Sequence, residues 1–140
     1  MFKITLIFLA SGVGGVLRFA IGGWTQRAAV WLGAQFGSNG NHGEFPFGTM
    51  VVNISGCFLA GLLAALFAGP WPIREEYRTA ILVGLLGGYT TFSAFGRETM
   101  ALVEHRQWAM AGANILLSVA LGIAGVWAGT RVGQMAVATS

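Results

Sequence analysis

The sequence predicts an all-α integral membrane protein with four transmembrane helices per subunit and a break in the third. Hydrophobic residues make up 55% of the 140-residue chain and charged residues 9%, and the mean hydropathy is +0.69. Water-soluble domains carry far more charge than this. Four apolar segments approach the roughly 20 residues that cross a bilayer, namely residues 4–23, 48–68, 79–95 and 110–128. Little chain remains for anything else, so residues 1–140 are predicted to form a single four-helix transmembrane domain.

The first apolar segment is predicted to be a transmembrane helix. Lys3 followed by apolar residues resembles a secretory signal peptide, but the hydrophobic stretch continues to Gly23 and three further segments follow. Arg18 lies well inside this first segment. It either extends its side chain toward the membrane interface or faces a water-filled vestibule that attracts anions, and both interpretations stay open.

The second and fourth segments each carry polar side chains on one helical face. Asn53 shares a face with Thr49 and offers two N–H donors to a passing ion, while an interhelical hydrogen bond is the alternative. Asn114 and Ser118 form a second such strip, although Ser118 alternatively bonds to its own helix. Cys57 is the single cysteine, which excludes an intrachain disulfide and a thiolate metal site, and we expect it to be a packing residue.

The third segment contains the most informative stretch, residues 87–95, which read Gly-Gly-Tyr-Thr-Thr-Phe-Ser-Ala-Phe. We expect a regular helix over residues 80–86, but paired glycines, two threonines and a serine favour non-helical backbone after it. Such backbone survives at membrane depth only where protein or a water-filled cavity satisfies its polar groups. The stretch therefore predicts an ion site at this break.

Ligands for an anion and for a cation both occur near this break. Phe92 and Phe95 share a helical face, and their ring edges carry partial positive charge that can contact an anion; ordinary core packing is the alternative. Backbone carbonyls near Gly87 and Gly88 would suit a hard cation such as sodium. Hydroxyl groups come from Thr90, Thr91 and Ser93.

The basic residues that flank the four segments are nearly balanced between the two sides of the membrane. One side carries Lys3, Arg74, Arg78 and Arg131, and the other carries Arg27, Arg97 and Arg106. A difference this small specifies orientation weakly, so insertion in both orientations is one interpretation. The alternative is that a slight bias suffices or that Arg97 is not a loop residue. Glu98 is expected to be solvated beside Arg97, with pairing to a buried partner as the alternative.

The 22 glycines are spread through the apolar segments rather than gathered in linkers. Small residues let helices approach closely, and Gly125 and Gly129 form a small-xxx-small pair with Gly122 before them. Other glycines line the first segment, at Gly12, Gly14, Gly15, Gly22 and Gly23. We interpret the glycines as the interface of an oligomer, a dimer in the simplest case, with packing inside one subunit as the alternative.

The positions of the two histidines give no sign of a catalytic site. His42 lies in the polar turn over residues 37–43, and His105 lies between the third and fourth segments. Both are predicted to be loop residues, since neither falls in a catalytic or metal-ligand spacing. The chain is therefore not expected to be an enzyme, and its expected partners are membrane lipid and an ion, with no nucleic acid.

Three motifs together resemble the Fluc (CrcB) family of microbial fluoride channels. They are residues 14–19 (Gly-Gly-Val-Leu-Arg-Phe), residues 46–58 (Pro-Phe-Gly-Thr-Met-Val-Val-Asn-Ile-Ser-Gly-Cys-Phe) and residues 87–95. The resemblance covers essentially the whole chain. It implies an antiparallel, dual-topology homodimer in the cell inner membrane or plasma membrane, with two fluoride pores and one central, structural sodium ion. Such a channel would export fluoride passively, lower cytoplasmic fluoride and confer fluoride resistance.

The resemblance also implies roles for individual residues. The fluoride pore would be formed by Asn53, Phe92, Phe95, Ser118, Thr49 and Thr91, with Arg18 in the vestibule. The sodium ligands would be the backbone carbonyls of Gly87 and Thr90. Three residues depart from the usual family pattern, namely Tyr89 and Ala94, where Phe and Thr are often found, and Asn114, where many members have Tyr.

Two other classes of function fit the same composition. A four-span, dual-topology drug and proton antiporter shares the size and charge balance, but it needs an ionisable carboxylate deep in a span, and the four segments contain none. A noncatalytic membrane assembly subunit is the second alternative. It predicts that replacing Asn53 or Phe92 disturbs packing without changing any ion flux.

Overall fold

The structure, a computed structural model, describes residues 1–35, 45–69 and 73–138. All regular elements in these residues are helices: α1 (Phe2–Gln35), α2 (Phe47–Ala68), α3 (Glu75–Thr79), a π-helical segment (Ala80–Leu85), α4 (Leu86–Tyr89), α5 (Phe92–Glu104) and α6 (Trp108–Ala138). The elements from α3 to α5 form one bent crossing, so the described chain has four helices long and apolar enough to span a membrane. The predicted four-span, all-α fold with a broken third helix is confirmed.

The helices extend beyond the apolar segments that predict them. Helix α1 continues past Gly23 to Gln35, and the third crossing runs to Glu104 instead of ending at Phe95. Hydropathy locates the apolar part of a helix but not its ends, because Gln, Arg and Ala remain good helix formers in water. The polar turn over residues 37–43, with His42, lies outside the described residues. His105 directly follows α5 and is exposed, as predicted for a loop residue.

The non-helical part of the third crossing is narrower than the glycine-rich motif suggests. Only Thr90 (φ −81°, ψ 158°) and Thr91 (φ −152°, ψ 114°) are extended, whereas Gly87 and Gly88 lie inside α4. Residues 80–85 are also not a regular α-helix as expected, since they form the π-helical segment. The expectation that the two glycines themselves unwind the helix is therefore wrong.

Close packing against α1 explains Gly88 better than unwinding does. A methyl group at Gly88 would fall on the Ser11 carbonyl, and one at Gly14 would fall on the Leu85 carbonyl. Because glycine has no side chain, the backbones of the two helices come into direct contact, as is common where transmembrane helices cross. This contact holds α4, and with it the break, against the middle of α1.

Helices α2 and α6 form the most extensive contact of the subunit, and glycines line it. A methyl group at Gly129 would fall on the Phe58 carbonyl, and one at Gly61 would fall on the Val126 carbonyl. Gly125 also faces α2, with the Ile54 carbonyl 3.2 Å from the position of an added methyl group. The interpretation of Gly125 and Gly129 as an oligomer interface is therefore wrong, because both pack inside one subunit.

The turn between α5 and α6 sets these two helices side by side. The Gln107 N–H donates to the Leu102 carbonyl at 2.8 Å, and the Arg106 N–H donates to the Val103 carbonyl at 2.9 Å. This is the hydrogen-bond pattern of a Schellman helix end. Arg106 takes the left-handed position of the motif, with φ 59°. The turn leads α6 back along α5, so that the two helices share a wall of the site.

Candidate functional site

Asn53 of α2 fastens the break in the third crossing through both atoms of its side-chain amide. Its Nδ2 donates to the Thr91 carbonyl at 3.0 Å, and the Thr91 N–H donates to its Oδ1 at 2.8 Å. One side chain therefore satisfies both backbone groups of an extended residue that no helix could pair. The interhelical hydrogen bond considered for Asn53 is present. Because an amide nitrogen carries two hydrogens, one N–H of Asn53 remains for another acceptor.

The break deprives the backbone carbonyls of residues 87–90 of their usual helical donors, and two of these donors can be followed. In a continuous helix the Thr91 N–H would donate to the Gly87 carbonyl, but here it donates to Asn53. The Ala94 N–H, which would donate to the Thr90 carbonyl, donates to Thr91 Oγ1 at 3.2 Å, so that Thr91 caps α5. The freed carbonyls include those of Gly87 and Thr90, to which the family resemblance assigns a sodium ion.

Tyr89 fixes the residues just before the break against α2. The Tyr89 and Ser55 hydroxyl oxygens lie 2.8 Å apart, and Ser55 Oγ also donates to the Val52 carbonyl at 3.1 Å. Since Ser55 has a single hydroxyl proton, Tyr89 must be the donor to Ser55. Gly56 gives room for this contact, because a methyl group there would fall on the Thr90 methyl group. The tyrosine thus makes a hydrogen bond that a phenylalanine at this position could not make.

Five of the six residues predicted to form the pore, all except Thr49, meet in one cavity of about 250 Å³, here called the phenylalanine cavity. Its lining comprises Asn53, Cys57, Thr90, Thr91, Phe92, Phe95, Ser118 and Val119. The Phe92 and Phe95 rings share one face of α5, with centroids 5.5 Å apart. Phe92 is 84% exposed within the subunit, so core packing does not account for it. All groups around the cavity are uncharged.

Arg18 and Thr49 line a second cavity of about 560 Å³, here called the arginine cavity. Arg18 Nη1 donates to the Thr90 carbonyl at 3.3 Å, which places the guanidinium group against the break. Of the two open interpretations, the position of Arg18 favours the vestibule. Thr49 lies apart from the phenylalanine cavity, whereas Thr91 lines both cavities and stands between them.

Two residues of the arginine cavity were not predicted from the sequence. Glu98 was expected to be solvated, but its side chain is only 26% exposed and its Oε2 atom is buried without a hydrogen-bond partner. Gln26 reaches from α1 to the start of α2, where its Oε1 accepts from the Gly48 N–H and its Nε2 donates to the Phe45 carbonyl, both at 3.0 Å. No local sequence pattern predicts that a side chain of α1 caps the start of α2, because this contact depends on where the two helices meet.

The α6 wall of the phenylalanine cavity contains a chain of side-chain hydrogen bonds. Ser118 Oγ donates to Asn114 Oδ1 at 3.3 Å, and Asn114 Nδ2 donates to Thr99 Oγ1 at 2.8 Å. Thr99 Oγ1 in turn donates to the Phe95 carbonyl at 2.7 Å. Ser118 therefore bonds to a neighbouring side chain rather than to its own backbone. Cys57, expected to be a packing residue, stands at the wall of the same cavity.

Comparisons with known proteins identify the family of this chain. The family model described as "CrcB-like protein, Camphor Resistance (CrcB)" matches residues 5–130. A protein of Desulforapulum autotrophicum named "Fluoride-specific ion channel FluC" is 41% identical over 133 residues, which cover 95% of this chain and 97% of that protein. Relatives with the same name occur in Coxiella burnetii (39% identity, 94% of this chain and 98% of that protein) and Methylococcus capsulatus (46% identity, 88% of this chain and 49% of that protein). The match to the family model includes every residue of the phenylalanine cavity.

Proposed function

We propose that this chain, which belongs to the family of CrcB-like proteins, is a multi-pass membrane channel that conducts fluoride passively down its electrochemical gradient. The observation that carries the proposal is the phenylalanine cavity, in which the amide of Asn53, the hydroxyl of Ser118 and the rings of Phe92 and Phe95 converge. Relatives named as fluoride-specific channels support the choice of ion. The protein would lower cytoplasmic fluoride by transport, without any chemical conversion.

The two cavities suit successive parts of a path for a small, strongly hydrated anion. Arg18 attracts fluoride into the arginine cavity, where long-range electrostatic attraction is useful. Beyond Thr91, neutral donors and ring edges replace part of the hydration shell without holding the ion as tightly as a fixed positive charge would. Conduction needs this compromise, because an ion that binds too strongly does not leave.

The functional unit is an antiparallel homodimer in the inner or plasma membrane. The open wall of the phenylalanine cavity supports this proposal, because Phe92 is exposed within one subunit and a second copy would cover it. Gly12 and Gly15 also support it, since among the described residues a methyl group at either would meet no atom of a neighbouring helix within 4 Å. The balance of basic residues, four against three on the two sides, is consistent with both insertion orientations.

A structural sodium ion at the dimer centre would use the backbone carbonyls of Gly87 and Thr90. The Gly87 carbonyl fits this role because the break removes its helical donor and the residue is exposed. The Thr90 carbonyl accepts one hydrogen bond from Arg18 and retains a second lone pair. Backbone oxygens suit a hard cation, and the described part of the chain contains no cluster of side chains that could hold a metal.

Removal of sodium is expected to destabilise the dimer and slow fluoride release. Replacing sodium by a large organic cation during purification should lower the thermal midpoint in detergent, because a bound ligand stabilises the folded state by mass action. Returning sodium, but not the organic cation, should restore the midpoint. A midpoint that does not depend on sodium would contradict the proposed ion site while leaving the fluoride path unaffected.

Fluoride efflux from liposomes tests the proposed function directly. We expect purified protein to release fluoride rapidly, as recorded by a selective electrode, and to leave chloride inside. Phe92→Ile should abolish the fast release, because isoleucine fills the volume without a positive ring edge. Phe2→Ile is the matched control, since Phe2 is 58% exposed at the start of α1 and lines neither cavity. Wild-type protein that is dimeric and inserted but releases no fluoride would favour the assembly subunit instead.

Cys57 provides an independent probe of the same path. It is the single cysteine of the chain and lines the phenylalanine cavity, so a soft thiol-binding metal such as Hg²⁺ is expected to bind there and block fluoride release. The Cys57→Ala variant should conduct fluoride and resist Hg²⁺. Equal inhibition of wild type and Cys57→Ala would show that the block occurs elsewhere and would remove Cys57 from the path.

A further inference from the structure

Asn114 has the lowest exposure of any polar side chain in the described chain, 1%, and it stands next to the proposed path without lining it. Both atoms of its amide are used, Nδ2 toward Thr99 and Oδ1 toward Ser118. Ser118 does line the phenylalanine cavity. Asn114 therefore acts on the cavity through Ser118.

The direction of this hydrogen-bond chain follows from counting protons. Thr99 has one hydroxyl proton, and it goes to the Phe95 carbonyl, which can only accept. Thr99 Oγ1 must then accept from Asn114, which turns the amide nitrogen to Thr99 and the amide oxygen to Ser118. Because that oxygen has no proton, the Ser118 hydroxyl is the donor.

This direction has a consequence for an anion in the cavity. While Ser118 donates to Asn114, its proton points into α6 and its oxygen lone pairs remain for the cavity, where they repel fluoride. Ser118 can bind fluoride only if its hydroxyl rotates away from Asn114. The bond given up is long, at 3.3 Å, but it leaves a buried amide oxygen without a partner.

We propose that Asn114 is a positioning residue that competes with fluoride for the Ser118 proton and thereby weakens fluoride binding in the phenylalanine cavity. Fluoride and the Asn114 oxygen accept the hydrogen bond of the Ser118 hydroxyl in turn. Each passing ion is therefore released when the Ser118 hydroxyl rotates back and donates to Asn114. Tuning of this kind favours a high rate, because weak binding lets the ion leave. The inference rests on the proposed channel function and concerns its rate and affinity.

The test measures initial fluoride efflux from liposomes over a series of internal fluoride concentrations. Asn114→Leu keeps the number and branching of the side-chain heavy atoms but removes the competing oxygen, so the half-saturating fluoride concentration should fall by roughly tenfold, the effect of about one hydrogen bond. The maximal rate should fall as well, because the ion leaves more slowly. In the Ser118→Ala background, where no proton is contested, the same Asn114→Leu change should leave the half-saturating concentration unaltered.

Thr99→Val tests the inference without touching Asn114. Valine keeps the shape of threonine but cannot accept from the amide, so the Asn114 amide becomes free to turn its nitrogen toward Ser118. The Ser118 proton is then released to the cavity, and the half-saturating concentration should again fall. This variant decides the question by itself if Asn114→Leu does not fold as a dimer.

Failure of the inference and failure of the channel function are distinguishable. If wild type conducts fluoride but neither variant lowers the half-saturating concentration, the competition does not occur and the channel function stands. A shift of equal size with and without Ser118 would also overturn the inference, because it would show a general packing effect. If wild type releases no fluoride, the proposed function and this inference both fail.

Discussion

Asn53→Leu is expected to abolish fluoride release and to destabilise the subunit by roughly 4 kcal/mol. The substitution leaves the N–H and the carbonyl of Thr91 without their partners, and each unpaired buried group costs about 1–3 kcal/mol. Leucine has the same number and branching of side-chain heavy atoms as asparagine but is larger, so overpacking adds to the loss from the two broken hydrogen bonds. A fall in the thermal midpoint in detergent, together with loss of efflux from liposomes, would bear out the prediction.

Asn53→Asp keeps one of the two hydrogen bonds and adds a charge. Aspartate keeps the acceptor for the Thr91 N–H but sets a carboxylate oxygen against the Thr91 carbonyl, so the thermal midpoint should fall in this variant too. It also places a negative charge at the phenylalanine cavity, where it repels fluoride, so release should still be lost. An Asn53→Leu protein with an unchanged midpoint would show that Asn53 does not hold the break.

The sequence predicts the contents of the phenylalanine cavity better than the backbone that builds it. Phe92 and Phe95 could be placed on one face because helical periodicity depends only on spacing, and their centroids are 5.5 Å apart in the structure. The position of the break could not be read from Gly87 and Gly88, because glycine serves both unwound backbone and close helix contact. Which use applies depends on the neighbouring helix, here Ser11 of α1.

Residues that act across helices were the hardest to predict. Gln26 stands in the part of α1 beyond the apolar segment, and nothing in its local sequence indicates that it caps α2. Glu98 was expected to be solvated because the apolar segment stops at Phe95. Helix α5 continues beyond that residue, however, and places the Glu98 side chain in the arginine cavity. In both cases the local sequence correctly identifies a polar side chain, but the tertiary arrangement of the helices determines which groups that side chain contacts.

Glu98 also affects the comparison with a proton-coupled antiporter. The absence of a carboxylate from the apolar segments argued against coupling, but the third crossing extends to Glu104 and so includes Glu98. This carboxylate lines the arginine cavity and not the phenylalanine cavity. Family membership and the uncharged phenylalanine cavity therefore favour a channel.

Gly129→Ala is the second change expected to have a large effect, and it tests whether the α6 glycines serve the subunit or an oligomer. An added methyl group would fall on the Phe58 carbonyl and would lie within 3.0 Å of the Leu62 backbone nitrogen, so α2 and α6 must separate. Overpacking against backbone costs about 1–3 kcal/mol, and a rigid contact between two long helices places this variant near the upper limit. We expect a lower thermal midpoint and loss of fluoride release, because Asn53 and Ser118 lie on these two helices.

Gly112→Ala is the matched control, since it makes the same chemical change in the same helix. Within the part of the chain that the structure describes, a methyl group at Gly112 would meet no atom outside its own helix within 4 Å, and alanine favours helix over glycine by about 0.5–1 kcal/mol. The control should therefore keep or slightly raise the thermal midpoint and should conduct fluoride. If Gly129→Ala instead yields a stable monomer with an unchanged fold, the glycine would belong to an interface between subunits. Loss of stability in Gly129→Ala but not in Gly112→Ala would show that α2–α6 packing inside one subunit positions the two sides of the fluoride path.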